Sequence, residues 1–232
     1  MIVTIIIPCF NEKNTICELV EKVLKQKIKK QIILIDDCSN DGTQYLIKKK
    51  LMNKVSHVIF NKKNIGKGGC IQAAKKFVKG DIIIIQDADL EYDPHDYKKL
   101  LDPFKKEKAN VVYGSRVLKK KNYKNLNFNQ KIRVFANYIL TKLSNFLNNQ
   151  NLTDAHTGYK VFKKNIFFRL KLRERDFRFC PEVNTKLSKI RENILEVPIS
   201  YNGRSYNEGK KIKFVDGFKA VYSLFKHSFS KN

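Results

Sequence analysis

A chain of 232 residues, 42% hydrophobic and 30% charged, is long enough for one α/β domain, alone or with a small appendage, and reads as globular. Its longest apolar runs, Ile2 to Phe10 and Ile82 to Ile85, are far too short to span a bilayer, and Met1 leads into a strand-like run with no basic leader, so a cytoplasmic location is expected. The formal charge of +25 raises nucleic acid as a partner, but it is disfavoured because lysine far outnumbers arginine; readers of bases and phosphates favour the arginine fork, and an anionic membrane face or a phosphorylated substrate fits the charge equally well.

The first 115 residues alternate strands and helices as in a doubly wound sheet. Strand-like runs cover Val3–Ile7, Gln31–Ile35, Val55–Phe60, Asp81–Gln86 and Asn110–Tyr113, and helical patterns cover Asn14–Lys27, Gly42–Lys50, Gly68–Phe77 and Pro94–Glu107. Ile16, Leu19, Val20, Val23 and Leu24 recur at the helical period, whereas Ile82 to Ile85 are apolar on both faces, as a central parallel strand requires. A Lys/Asn-rich linker over 118–129 leads to an amphipathic helix from about Gln130 to Asn148, with Ile132, Phe135, Ile139, Leu143 and Phe146 on one face. A loop then carries Asp154-Ala-His156-Thr-Gly158, and Phe214 to Phe229 form a last helix with Phe214, Val215, Phe218, Val221, Tyr222, Phe225 and Phe229 on one stripe. The expected division is a catalytic domain over 1–211 and an amphipathic helix over 212–232, which either lies in a membrane surface or packs on the sheet. Cys9, Cys17, Cys38, Cys70 and Cys180 are scattered and contain no C-x-x-C pair, which argues against a zinc site and a disulfide framework.

Four segments carry chemistry. Gln86-Asp87-Ala88-Asp89-Leu-Glu91 follows a buried strand, so its carboxylates meet at the carboxyl edge of the sheet, where open α/β sheets bind ligands. Hard oxygens at that spacing suit Mg²⁺ or Mn²⁺, with Asp87 and Asp89 as ligands and Glu91 as a third; a helix cap with a solvated acidic turn is the structural alternative. Ile35-Asp36-Asp37-Cys-Ser39-Asn-Asp41-Gly42-Thr43 closes the second strand; Asp37 is suited to a nucleotide base or ribose, and Asp41 to Thr43 to a turn and cap. Pro8-Cys-Phe10-Asn11-Glu12 follows the first strand, with Glu12 placed for ribose or base and Phe10 for stacking. Asn64-Ile-Gly66-Lys67-Gly68-Gly69 is a glycine turn opening a helix, whose N–H groups and Lys67 can face phosphates.

Order and spacing are more specific than any one segment. Together they resemble the GT-A fold of family-2 glycosyltransferases, an α/β Rossmann-like, doubly wound mixed sheet, mostly parallel and flanked by helices. The second half resembles the polyprenyl-phosphate branch, the dolichyl-phosphate mannose synthase group and its bacterial glucosyl relatives. The matching pieces are Gly114-Ser115-Arg116, Asp154-Ala-His-Thr157-Gly158-Tyr-Lys160, Glu196-Val-Pro198-Ile, and Tyr201-Asn-Gly-Arg204 followed by Glu208-Gly209-Lys210-Lys211. Many relatives carry transmembrane helices after the catalytic domain and this sequence shows none, so it resembles a soluble subtype that reaches its lipid through the cytoplasmic membrane surface or a small membrane partner.

The resemblance implies an inverting, metal-dependent transfer of a hexose from a nucleotide-sugar to a polyprenyl or dolichyl phosphate. Carried over by position, Pro8, Phe10, Glu12, Ile35, Asp37, Lys67, Asp87, Ala88 and Asp89 line the donor, and Asp87, Asp89 and Glu91 hold Mg²⁺ or Mn²⁺. Arg116, Arg133, Arg204 and Lys210, with Lys211 as an auxiliary, hold the acceptor phosphate, and Asp89, Arg116 and Arg204 are the catalytic set. The structural alternative for the arginines is an ordinary surface ion pair. A phosphate acceptor is already an anion and needs no strong base. Transfer to a saccharide or protein hydroxyl is the rival reaction and would need one, with an acidic group or His156 near the acceptor as candidate. A non-catalytic nucleotide-binding subunit is the other alternative, which the retained Asp87, Asp89 and arginines argue against. GDP-mannose, UDP-glucose and UDP-N-acetylhexosamine all remain open as donors.

Overall fold

The computed structural model describes residues 1–119, 128–204 and 214–230, with the backbone alone at 128–130 and 214. Its described residues form a seven-stranded sheet in the order β3-β2-β1-β4-β6-β5-β7. The strands are β1 (Val3–Cys9), β2 (Lys30–Asp36), β3 (His57–Phe60), β4 (Ile82–Ile85), β5 (Val111–Ser115), β6 (Lys160–Lys163) and β7 (Ile194–Pro198). Only β6 runs against its neighbours β4 and β5; the other pairs are parallel. This is the mixed, mostly parallel GT-A-type sheet expected from the sequence.

Alternation along the central strands divides the core in two. Ile5 and Ile7 of β1 face one way, joining Ile16, Leu19, Val20 and Val23 of α1 (Ile16–Lys25) and Leu100, Leu101 and Phe104 of α4 (Tyr97–Lys105). Ile6, Ile33, Ile83 and Ile85 face the other way, toward α3 (Gly66–Ala74), α6 (Lys164–Arg169) and α7 (Phe179–Lys189). Both faces are covered, which is why β4 can be four isoleucines with no polar side. The helix expected from Gly42 begins as α2 (Thr43–Leu46) and widens into a π-type turn over Ile47–Leu51.

α5 (Phe128–Asn148) and α8 (Phe214–Phe229) lie outside these layers. α8 packs against α5 and α7 rather than on the sheet, burying Ala220, Ser223, Leu224 and His227. Both helices turn their apolar stripes outward. Ile132, Phe135, Tyr138, Ile139 and Phe146 of α5 and Val215, Phe218, Tyr222, Phe225 and Phe229 of α8 are exposed, while Thr141, Ser144 and Asn148 of α5 are buried. Among the described residues, no helix is long and apolar enough to cross a membrane.

Candidate active site

Every parallel strand delivers its carboxyl end to one edge, and β6 begins there, so all the segments with chemical signals that are described converge on it. The loops after β1 and β2 interlock. Asn11 N–H donates to Ser39 Oγ at 2.8 Å, Glu12 N–H to Thr43 Oγ1 at 2.9 Å, and Asn40 N–H to Asn11 Oδ1 at 2.9 Å. Asp41 caps Thr43 through its N–H (2.9 Å) and hydroxyl (2.5 Å), and receives Lys13 N–H at 3.2 Å. The Asp41-Gly42-Thr43 turn is thus a brace that presents Glu12.

Asp37 is committed to the backbone. Its carboxylate accepts from Ile65 N–H (2.9 Å), Gly66 N–H (2.8 Å) and Asn61 Nδ2 (2.9 Å), fastening the glycine turn to β2. Ile35 has no exposed surface and packs in the core, so its side chain is a wall behind the edge and not a lining group. Pro8 and Phe10 are half-buried at the end of β1, and Ala88 is buried between the two aspartates.

After β4, Gln86 organises the loop. Its Oε1 accepts from Tyr97 and Tyr159 hydroxyls, each at 2.7 Å, and its Nε2 donates to Asp87 O at 3.0 Å. Asp87 forms an ion pair with Lys67, whose pKa is raised: burial opposes the charge, but Asp87 outweighs it. Asp89 is pushed up to about 7, by burial first and then by Asp87 and Glu91, with Arg204 opposing. Asp87 also touches the loop ahead of β6: Gly158 N–H donates to Tyr92 Oη at 2.7 Å, and a Cβ at Gly158 would collide with Asp87 Oδ2.

The segment 201–204 closes over this loop. Arg204 donates through Nη1 and Nη2 to Glu12 at 3.0 and 2.9 Å, and Nη2 lies 3.6 Å from Asp89 Oδ2. Its N–H donates to Glu91 Oε1 at 2.7 Å, and Tyr201 hydroxyl donates to Glu91 Oε2 at 2.9 Å. Glu91 thus anchors the closing segment through both carboxylate oxygens, while its charge also bears on Asp89. Among the described residues no group of three or more His, Cys, Asp or Glu side chains is gathered to hold a metal. The two aspartates still fit a hard divalent ion. Their oxygens are the right donors, Asp89 is raised by burial and then by the neighbouring carboxylates of Asp87 and Glu91, and Mg²⁺ commonly takes one or two carboxylates plus substrate phosphates.

Arg116 lies beside this centre. Its Nε and Nη2 donate to the buried Asp154 at 2.7 Å each, its N–H adds a third bond at 3.1 Å, and its guanidinium lies 5.1 Å from the Tyr201 ring centre. Asp154 is held in turn by Glu196 Oε1 on its N–H (3.0 Å) and by Asn137 Nδ2 (3.2 Å) of α5. Although burial raises it, Arg116 keeps the Asp154 carboxyl below its ordinary range. Arg133 is half-buried one helical turn before Asn137 on the same face of α5. Lys210 and Lys211 fall outside the described residues. His156 is pushed down to about 4 by burial and then Lys160, and its Nε2 has no hydrogen-bond partner among the described residues.

Gln86, Tyr92, Tyr201 and Glu196 carry site geometry that residue type alone did not signal. Tyr201 and Glu196 belong to the segments that carry the family resemblance, and Gln86 is a lone polar residue closing an apolar strand. A cavity of about 320 Å³ adjoins the centre behind Glu91, Tyr92, Tyr201, Lys119 and Ser200. A cleft of about 700 Å³ opens at the other edge of the sheet, beside Met1, Phe104 and Phe168, away from all of these groups.

An Asp-x-Asp at the carboxyl edge of such a sheet, flanked by half-buried cations, is the layout of a GT-A glycosyltransferase, and the chain belongs to glycosyl transferase family 2, whose pattern it matches over residues 4–170. Among similar proteins is the UDP-N-acetylglucosamine–dolichyl-phosphate N-acetylglucosaminyltransferase of Methanococcus voltae, 30% identical over 96% of this chain and 94% of that one. The dolichol-phosphate mannosyltransferase of Pyrococcus furiosus is 25% identical over 97% of this chain and 64% of that one. In fold, it is similar to glucosyl-3-phosphoglycerate synthase of Mycobacterium tuberculosis, solved with Mn²⁺, UDP and glucosyl-3-phosphoglycerate, at a TM-score of 0.72, 14% identity, and coverage of 100% of this chain and 81% of that chain.

Proposed function

We propose that this glycosyltransferase moves a hexose or N-acetylhexosamine from a nucleotide-sugar to a polyprenyl or dolichyl phosphate, with inversion at the anomeric carbon. The observation that carries the reading is the placing of Asp87 and Asp89 between two cations: Lys67 on the donor side, and Arg204 reaching across from the closing segment. The names of the relatives in M. voltae and P. furiosus support the lipid-phosphate acceptor.

Glu12, Phe10 and Pro8 border the nucleotide, and Asp37 acts at one remove by holding the glycine turn that presents Lys67 to the diphosphate. Mg²⁺ or Mn²⁺ on Asp87 and Asp89 supplies Lewis-acid neutralisation of the leaving diphosphate. Arg204, Arg116 and Arg133 gather the acceptor phosphate, whose oxygen forms the new bond to the anomeric carbon as the bond to the nucleoside diphosphate breaks. A phosphate monoester is mostly ionised near pH 7, so no proton need be removed. A His156 imidazole with a pKa of about 4 is a poor base at neutral pH, which favours this acceptor over a hydroxyl.

The outward apolar stripes of α5 and α8 support action at a membrane surface. Their exposed lysines Lys131, Lys142 and Lys219 suit the anionic cytoplasmic face. The test is a panel of radiolabelled UDP- and GDP-sugars with Mg²⁺ or Mn²⁺ and undecaprenyl or dolichyl phosphate. Label should enter the organic phase with one donor; no transfer from any donor, beside an active control enzyme, would sink the reading.

A further inference from the structure

The glycine turn carrying Lys67 is covered by a second stretch of backbone. Gly69 N–H donates to Arg175 O at 2.8 Å, and Gln72 Nε2 donates to Glu174 O at 2.9 Å. Gly66 sits at φ +79°, and a Cβ there would lie 2.6 Å from Arg175 O; one on Gly68 would collide with Glu174 O. The two backbones touch with no space for a side chain, so a shift in one moves the other.

This strap, residues 173–176, is itself held at two points. Glu182 of α7, with no exposed surface, accepts from the N–H groups of Arg173 at 2.7 Å and Glu174 at 2.8 Å. From the outer side, α8 grips the Glu174 carboxylate: Lys226 Nζ donates to Oε1 at 2.7 Å, and His227 Nε2 lies 3.0 Å from the same oxygen. Arg178 Nε lies 3.2 Å from Oε2. Burial would raise the Glu174 pKa, but Lys226, His227 and Arg178 hold it below its ordinary range, so the carboxylate stays charged for these contacts. None of these groups belongs to the donor or acceptor contacts described above.

We propose that Glu174 is a positioning residue through which α8 fixes the Gly66–Gly69 turn, and with it the hold of Lys67 on the donor's diphosphate. The proposal rests on the reading of Lys67 and Asp87 as the diphosphate site. Each link from α8 through Glu174, the turn and Lys67 to Asp87 is a hydrogen bond, an ion pair or a close backbone contact, which is the physical continuity that coupling between sites needs. Donor binding thereby depends on a helix that also carries an exposed apolar stripe.

The experiment is calorimetric binding of UDP and of GDP, each with Mg²⁺ and Mn²⁺, to the full chain and to Lys226→Ala/His227→Ala, Glu174→Gln and Lys226→Arg, with hydrogen exchange read along the backbone. The double variant and Glu174→Gln should weaken nucleotide binding by roughly five- to tenfold, the lower range of site-to-site coupling. Exchange should speed up at residues 66–70, while β1 and β4 keep their protection and Lys226→Arg keeps its affinity. Should Glu174→Gln fail to fold, the double variant on the outer helix carries the test. Wild-type protein binding neither nucleotide would overturn the diphosphate-site reading itself. Wild-type binding matched by the double variant, or weakened binding with exchange raised uniformly over the molecule, would overturn the coupling while leaving that reading intact.

Discussion

α1 and α5 are both amphipathic, yet they are mounted in opposite senses. α1 turns Ile16, Leu19, Val20 and Val23 into the core beneath the sheet. α5 turns Ile132, Phe135, Ile139 and Phe146 to solvent and buries Thr141, Ser144 and Asn148, and its neighbour α8 repeats the inversion with Phe218, Tyr222, Phe225 and Phe229 outside. Leaving a Phe exposed forfeits about 1.5–3 kcal/mol of burial, so two adjacent inverted stripes form an outer face suited to a surface less polar than water. The sheet also inverts the rule in the other direction. Lys160 of β6 has no exposed surface, donates to Ala155 O at 3.0 Å and sits 3.7 Å from the Tyr113 ring centre. Here a charge lies inside and aromatics lie outside.

The largest expected effect sharpens the difference between the sheet edge and the outer helices. Asp89→Asn should lower turnover by about 10³-fold, the loss of about 4 kcal/mol of transition-state stabilisation, while leaving vesicle binding unchanged. A vesicle-binding defect in Asp89→Asn would show that the edge and the outer face are not separate devices. Next, Leu100→Ala in α4 should cost about 2–5 kcal/mol in denaturant unfolding, because Leu100 is sealed in the core. Phe135→Ser, at a comparable position on the apolar stripe of α5, should change stability by no more than about 0.5 kcal/mol. Equal costs would mean that α5 is packed in solution much as α4 is.

Lys160 gives a pH test of intermediate size. Burial, offset in part by Cys180 and Asp154, lowers its pKa from 10.5 to about 8. Below pH 8 the folded and unfolded chains both hold the proton. Between pH 8 and 10.5 only the unfolded chain does, so unfolding takes up a proton and stability from this group rises with pH. The wild type should therefore gain about 2–3 kcal/mol relative to Lys160→Met between pH 8 and 10. Ala155 O keeps its bond from Asn184 Nδ2 at 2.9 Å in that variant, so no buried acceptor is orphaned. Parallel pH curves for the two proteins would show that the ammonium is not confined as described.

The order of the first half was legible because its parallel strands are unbroken apolar runs punctuated by the turn residues of the site. The second half was not. β6 is four residues long and starts with a lysine, and β7 is a half-buried strand beyond the covered core, so neither shows a clean period. At the site, the sequence brought forward Glu12, Lys67, Asp87, Asp89 and Arg204, which the fold gathers. It did not show that Arg204 would reach Glu12 across 192 positions, or that Glu91 would be spent on Tyr201 and the Arg204 backbone. Nor did it show that Asp37 would turn inward to brace the glycine turn. Spacing along a strand tells which edge a side chain reaches; which partner it takes there depends on chain arriving from elsewhere.

The smallest expected change per site bears most directly on the outer face. The combined variant Phe135→Ser/Tyr138→Ser/Phe218→Ser/Tyr222→Ser removes four large groups that are each more than half exposed. Because these side chains keep most of their surface exposed on folding, the unfolding free energy should change by less than about 0.5 kcal/mol per site, the usual range for surface substitutions. Sedimentation with vesicles containing phosphatidylglycerol should nevertheless fall to background, and transfer to a short, water-soluble polyprenyl phosphate should persist while transfer to a long-chain acceptor in vesicles is lost. A variant that still sediments with vesicles would leave the apolar stripes unexplained by lipid. A wild type whose mass in solution is that of a dimer, and whose variant is a monomer, would assign the same face to a second copy of the chain. The two outcomes differ because a lipid surface needs only the outward stripe, whereas a self-association must also satisfy the geometry of its own symmetric copy.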